Sequence, residues 1–158
     1  MRRFLIFAVA AVTALTLAGV AWGAAQFNNG HPPSCTPTTT SSSVTCTAFI
    51  TGASSSSTPV YVVLVAAAGC SNSGNPDIQG QRAFSAGPVF SDGSGNINFS
   101  HTYTGTCPGN QTAFIGTPRT LQIYECSPGQ APRFQVDKKT GQITQTNSNC
   151  TLTDSASV

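Results

Sequence analysis

Six cysteines, Cys35, Cys46, Cys70, Cys107, Cys126 and Cys150, all lie beyond an apolar N-terminal run, and this constrains the fold more than any other feature of the chain. Thiols exported to an oxidising compartment become disulfides, so an even set reads as three structural bridges. None stands in a Cys-x-x-Cys spacing, which argues against a thiolate metal site. All six are therefore assigned as disulfide cysteines.

Export is read from the first residues. Met1-Arg2-Arg3 precedes an apolar run from Phe4 to Val20, and small residues follow at Gly23, Ala24 and Ala25. A basic start, an apolar middle and small residues before a cut make a secretory signal peptide. Residues 1–25 are assigned to it. The mature chain is expected to begin at Gln26, with Ala24 as the alternative start. The stretch Thr151 to Val158 is polar, so no second anchor is expected and no membrane association after cleavage. The predicted location is secreted or extracellular, including the cell surface.

Removing Arg2 and Arg3 from seven Lys/Arg leaves five, equal to the five Asp/Glu. No basic cluster remains to neutralise phosphates, so nucleic acid is excluded as a partner. Beyond the leader there are only three leucines, Leu64, Leu121 and Leu152, while Ser and Thr exceed a quarter of the residues. Thr, Val, Tyr and Phe suit strands better than helices, which points to an all-β fold.

The strands are read from alternation. In Val44–Ile50, Val44, Cys46, Ala48 and Ile50 share one face, with Thr45 and Thr47 on the other. In Asn96–Thr104, Ile97, Phe99, His101 and Tyr103 oppose Asn98, Ser100 and Thr102. Val60–Ala68 is a continuous apolar run, as in a central strand covered on both sides. Further strands are expected at Arg82–Phe90, with Pro88 at an edge or bulge, at Ala113–Ile115 and at Thr120–Cys126. A closing hairpin is expected at Arg133–Val136 and Gln142–Gln145, around a turn at Asp137–Gly141. Residues 26–43 form a polar N-terminal arm or edge strand, and residues 44–158 a single domain. The prediction is an Ig-like Greek-key β-sandwich of seven to eight strands, stapled by disulfides.

Two sets of bridges fit this outline. Cys70 and Cys107 follow strands that would run the same way and end at one pole, so their pairing is expected first. With it, Cys46 would join Cys126 across the sandwich and Cys35 would join Cys150 between the termini. Sequential pairing, Cys35 with Cys46 and Cys126 with Cys150, is the alternative.

Tyr124-Glu125-Cys126 resembles the Tyr-x-Cys of immunoglobulin domains, which implies a tyrosine corner and a cysteine that bridges the two sheets. Phe134–Ile143, FQVDKKTGQI, resembles the Phe-x-Ile-Asp-x-x-Thr-Gly-x-Ile hairpin of cadherin-like and bacterial Ig-like domains. The outline, with its turn from Asp92 to Asn96, is also similar to secreted sandwiches of the neocarzinostatin type, which implies an apolar ligand.

Candidate chemistry is sparse. His101 reads as a half-buried strand residue and His31 as part of the arm. No Gly-x-Ser-x-Gly elbow is present. Asp77 and Glu125 are the carboxylate pair to test for hydrolysis. Asp92–Asn98 echoes a calcium loop but has Ile97 where glycine is needed, so it reads as a turn. Asn98, Asn110 and Asn149 begin glycosylation acceptor patterns. No catalytic, metal or cofactor residues are assigned and no enzyme activity is predicted. The expected function is a secreted structural or adhesive domain, a surface or filament subunit, with copies of itself or cell-surface proteins as partners. The arm before Cys35 would add to a neighbour's sheet. The alternatives are a secreted binding module (a small-ligand carrier or protein inhibitor) working through loops Ser54–Thr58, Cys70–Gln81 and Cys107–Gln111, and a small extracellular hydrolase.

Overall fold

A computed structural model of the chain describes residues 23–72 and 78–158. Residues 1–22 of the expected leader, and Asp77, lie outside the described residues. Ten strands and no helix form among those described: β1 (Gln26–Phe27), β2 (Ser34–Thr36), β3 (Ser43–Thr51), β4 (Val60–Ser71), β5 (Ile78–Val89), β6 (Ile97–Thr104), β7 (Thr112–Cys126), β8 (Phe134–Val136), β9 (Ile143–Gln145) and β10 (Cys150–Ser157). The all-β expectation holds, with more strands than the seven or eight anticipated.

The strands make two antiparallel sheets and a small hairpin. In the first sheet β3 is central, with β6 along one edge and β1 and β2 in succession along the other. The second sheet has the order β10-β7-β4-β5, and β8 pairs with β9. The alternation read from sequence decides which side chains meet. Val44, Cys46 and Ile50 from β3 and Ile97, Phe99 and Tyr103 from β6 pack with Val60, Val62 and Leu64 from β4 and Leu121 and Ile123 from β7. Burying such side chains contributes roughly 1.5–3 kcal/mol each, and it holds the sheets face to face. The Tyr103 hydroxyl crosses the core to donate to the Val62 carbonyl at 2.8 Å. Burial pushes its ionisation well above the ordinary phenol value.

β4 is apolar from Val60 to Ala68 because both of its faces are covered there. Tyr61 and Val63 point away from the inner core into a second cluster with Tyr124, beneath Phe134 of the hairpin. The rings of Tyr124 and Phe134 meet edge to face at 5.5 Å.

The bridges are Cys35–Cys46, Cys70–Cys107 and Cys126–Cys150. Cys70–Cys107 is the pair expected first. Cys46–Cys126 and Cys35–Cys150 do not form, and the register explains why. The arm folds as edge strands rather than a free tail, which puts Cys35 opposite Cys46 on adjacent strands, with Cα atoms 4.1 Å apart. Similarly β10 returns beside β7 and puts Cys150 opposite Cys126, at 4.0 Å. Cys126 therefore ties neighbours within one sheet, unlike the inter-sheet cysteine that the immunoglobulin resemblance implied. Tyr124 donates to the Gln122 side chain at 3.0 Å rather than to backbone as a tyrosine corner would.

Two further differences have local causes. The expected strands Ala113–Ile115 and Thr120–Cys126 are one strand, because β7 loops out at Gly116–Pro118 where its register against β4 shifts. β10 was not expected because its sequence, CTLTDSAS, has few apolar residues. It is held chiefly by ladder bonds to β7 and by Asp154, which accepts from the Phe27 N–H at 2.8 Å.

Arg119, at the end of that excursion, is 2% exposed. Its guanidinium donates to the carbonyls of Gly116 and Ile115 and to those of Pro37 and Thr39 in the β2–β3 connection. Desolvation pulls its ionisation below the usual arginine value. Four carbonyl dipoles take the place of a counterion, fastening the first sheet's edge to the second sheet.

Candidate ligand-binding face

The side chains of β2, β3 and β6 that point away from the core form an ordered surface. Alternation turns Ser34 and Thr36 of β2, Ser43, Thr45, Thr47 and Phe49 of β3, and Asn98, Ser100, Thr102 and Thr104 of β6 to the outside. The register aligns them in rows. Ser34, Thr47 and Ser100 lie side by side, as do Thr36, Thr45 and Thr102; Ser43 faces Thr104 and Phe49 faces Asn98. Thr45 and Thr102 share a hydrogen bond of 2.8 Å, and Ser34 and Thr47 one of 3.2 Å. No Asp, Glu, Lys or Arg belongs to these rows.

At the Phe49 end the β1–β2 connection rises as a wall. The Asn28 N–H donates to the Phe49 carbonyl at 2.9 Å, and the Asn28 side chain accepts from the Gly30 N–H at 2.8 Å. This tie sets His31 edge-on to Phe49, ring centres 6.1 Å apart. Between wall and sheet lies an open groove of about 640 Å³, lined by Gly30, His31, Pro32, Thr47, Ala48, Phe49, Asn98 and Phe99. It runs directly onto the hydroxyl rows, and no Asp, Glu, Lys or Arg lines it. A surface of this kind offers hydrogen-bond donors and acceptors and a short aromatic step, with no electrostatic pull.

A second cleft lies on the outer face of the other sheet, beside the β8–β9 hairpin. One part, about 240 Å³, includes Val65, Gln122, Tyr124, Phe134, Ile143 and Gln145 in its lining. The adjoining part, about 370 Å³, is lined by Arg82, Ala83, Phe134, Val136 and Ile143. Asn147 knots the base of the hairpin, accepting from the Arg133 N–H and donating to the Ala131 carbonyl, both at 2.9 Å.

The candidates singled out in the sequence fall elsewhere or in supporting roles. Glu125 accepts from the Ser54 N–H at 2.8 Å, the Ser54 hydroxyl at 2.6 Å and the Ala25 N–H at 3.3 Å, so it clamps the chain's start and the serine loop. Its proposed partner Asp77 is outside the described residues. His101 is exposed and meets the edge of Tyr103 at 4.8 Å. Asp92 caps its own turn, accepting from the N–H groups of Ser94 and Asn96 at 2.8 and 2.9 Å. Asp137 does the same for Lys139 and Thr140. These backbone bonds hold both carboxyls below their ordinary range. No cluster of His, Cys, Asp and Glu suited to a metal occurs among the described residues. Asn98, Asn110 and Asn149 are exposed, and Asn98 lines the groove. Ser55, Ser57 and Thr58 of the serine loop bond to one another.

The hydroxyl rows were only half visible in the sequence. Alternation marks which residues face outward, but the alignment of three strands follows from pairing. No family model matches this chain, and no curated protein or solved structure matches it either.

Proposed function

We propose that this chain is a secreted, non-enzymatic adhesive domain of an extracellular surface, built as an Ig-like Greek-key sandwich. The observation that carries this reading is the uncharged hydroxyl face of the first sheet with its aromatic-edged groove. Its support is chemical. A charge-free array of exposed donors and acceptors suits contact with a broad polar surface. Bridges that join β2 to β3, β7 to β10, and the end of β4 to the segment after β6 suit persistence in an oxidising space, where no thiol reductant cuts them. The strand orders β1/β2-β3-β6 and β10-β7-β4-β5 support the Greek-key description, because consecutive strands β3 and β4, and then β5 and β6, belong to different sheets. Copies of the chain or other surface proteins would meet it along β6, which pairs only with β3 among the described residues and carries neither proline nor a carboxylate, Lys or Arg. The arm is already used as β1 and β2 within its own sheet.

The test is fractionation of the host culture, followed by binding of the purified protein to isolated cell envelopes. The reading predicts recovery outside the cytoplasm and saturable retention on envelopes. Recovery only inside the cell, or no retention on envelopes, refutes it. The cleft beside the β8–β9 hairpin favours a second reading, carriage of a small apolar ligand. Enhancement of an apolar fluorescent dye that Phe134→Ala abolishes would select it.

A further inference from the structure

We infer that the outer face of β2, β3 and β6 binds a neutral polysaccharide chain, an identification that rests on the adhesive reading and narrows it to one class of partner. Charge is the first argument. Asp, Glu, Lys and Arg are absent from both the rows and the groove. A nucleic acid, an anionic lipid surface or an acidic glycan would find no cationic side chain to replace its counterions. A neutral partner loses nothing by that absence.

Hydrogen bonding is the second argument. Each serine or threonine hydroxyl has one donor and two acceptor sites. The pairs Thr45–Thr102 and Ser34–Thr47 use only part of this capacity. Rows repeat about 6.6–6.8 Å apart along the strands and about 4.8 Å apart between them. The surface therefore presents hydroxyls at regular spacing to a partner that itself carries a hydroxyl on nearly every carbon. A protein partner is less suited, since protein interfaces centre on large buried apolar and arginine anchors, and Phe49 is the one large apolar side chain among the outward residues of these rows.

Shape is the third argument. The groove is open rather than enclosed and shares Thr47 and Asn98 with the outward rows, so a polymer lying over the paired rings of Phe49 and His31 continues across Thr47 onto the hydroxyls. Phe49 and His31 offer an aromatic step for the C–H face of a sugar ring, while Asn98 supplies both an amide donor and a carbonyl acceptor. The Cys35–Cys46 bridge lies directly beneath the face and locks β2 against β3. The rows are held in place before any ligand arrives, which lowers the entropy lost on binding.

The protein should be made in a host that does not glycosylate Asn98, then tested for retention on insoluble cellulose and chitin and in affinity electrophoresis with xylan and mixed-linkage β-glucan. Heparin and anionic vesicles serve as charged comparisons. Retention on at least one neutral polymer is expected, unchanged at high salt because no ion pair is involved. Phe49→Ala should weaken it about tenfold or more. Thr102→Lys, on an exposed position where folding is not at stake, should do the same, while Thr144→Lys on the hairpin should have no effect. No retention on any neutral polymer, retention lost at high salt, or retention untouched by both face variants overturns the inference. If retention on envelopes survives enzymatic removal of their neutral polysaccharide, the adhesive reading stands and this assignment of its partner falls.

Discussion

Arg119 allows a worked test of how the two sheets are fastened together. Replacing it with alanine removes donors from four carbonyls, but the four are not equally exposed to the loss. The Ile115 carbonyl keeps the N–H of Ser41 at 3.1 Å. The bonds to Pro37 and Thr39 are only partly buried, so water can replace the guanidinium there. The Gly116 carbonyl, bonded at 3.0 Å in a buried setting, is left without its partner. One orphaned buried acceptor costs about 1–3 kcal/mol, and the space vacated by the buried stem adds about 1 kcal/mol or more. Arg119→Ala should therefore cost about 3 kcal/mol, or roughly 10 °C in Tm for a domain of this size. Arg119→Met should cost less, because it fills the stem's volume and no charge has to be desolvated. Urea unfolding with the disulfides intact measures both, and the m-value should not change. Hydrogen exchange at Ser41 should accelerate in step. A loss below about 1 kcal/mol for Arg119→Ala would refute the argument that these carbonyls depend on the guanidinium.

Three further outcomes are expected. Tyr103 has its ionisation raised by burial, so its contribution is complete below the ordinary phenol value and is lost as pH rises through the raised one; Tyr103→Phe should cost about 1 kcal/mol at neutral pH and flatten the alkaline limb of a stability–pH curve. A chain starting at Gln26 lacks Ala25, which is 0% exposed and donates to Glu125; it should be less stable than one starting at Ala24 by about 2 kcal/mol in thermal unfolding, and equal stability would show that Ala25 adds nothing. Replacing both cysteines of Cys70–Cys107 by alanine opens a span of 37 residues, against 11 for Cys35–Cys46; chain entropy makes the first loss larger by about 1 kcal/mol, and the reverse order in denaturant titrations would refute that account.

Much of the fold was legible locally. Val44–Ile50 and Asn96–Thr104 show their inner and outer faces because side chains alternate along any strand, whatever its neighbours. Val60–Ala68 reads as central because no polar residue interrupts it. β10 was invisible for the opposite reason: its ladder with β7 is made by backbone, which every sequence carries. The bridges Cys35–Cys46 and Cys126–Cys150 were left open against their rivals because two strands adjacent in space need not be adjacent in sequence. Arg119 gave no local sign, since its four acceptors are main-chain carbonyls, which every residue carries, and two of them, Pro37 and Thr39, are distant in sequence.

The same division runs through the candidate face. By itself the sequence determined that Thr45, Thr47, Asn98, Ser100 and Thr102 face away from the core, and that the chain is poor in charge. Those are consequences of strand periodicity and of composition. Only the tertiary structure decided that β2, β3 and β6 align their hydroxyls in common rows, and that the β1–β2 connection stands over Phe49 to make a groove. Both depend on which strands pair and in what register. That choice is made by burying one shared core, a free energy that no single strand holds alone.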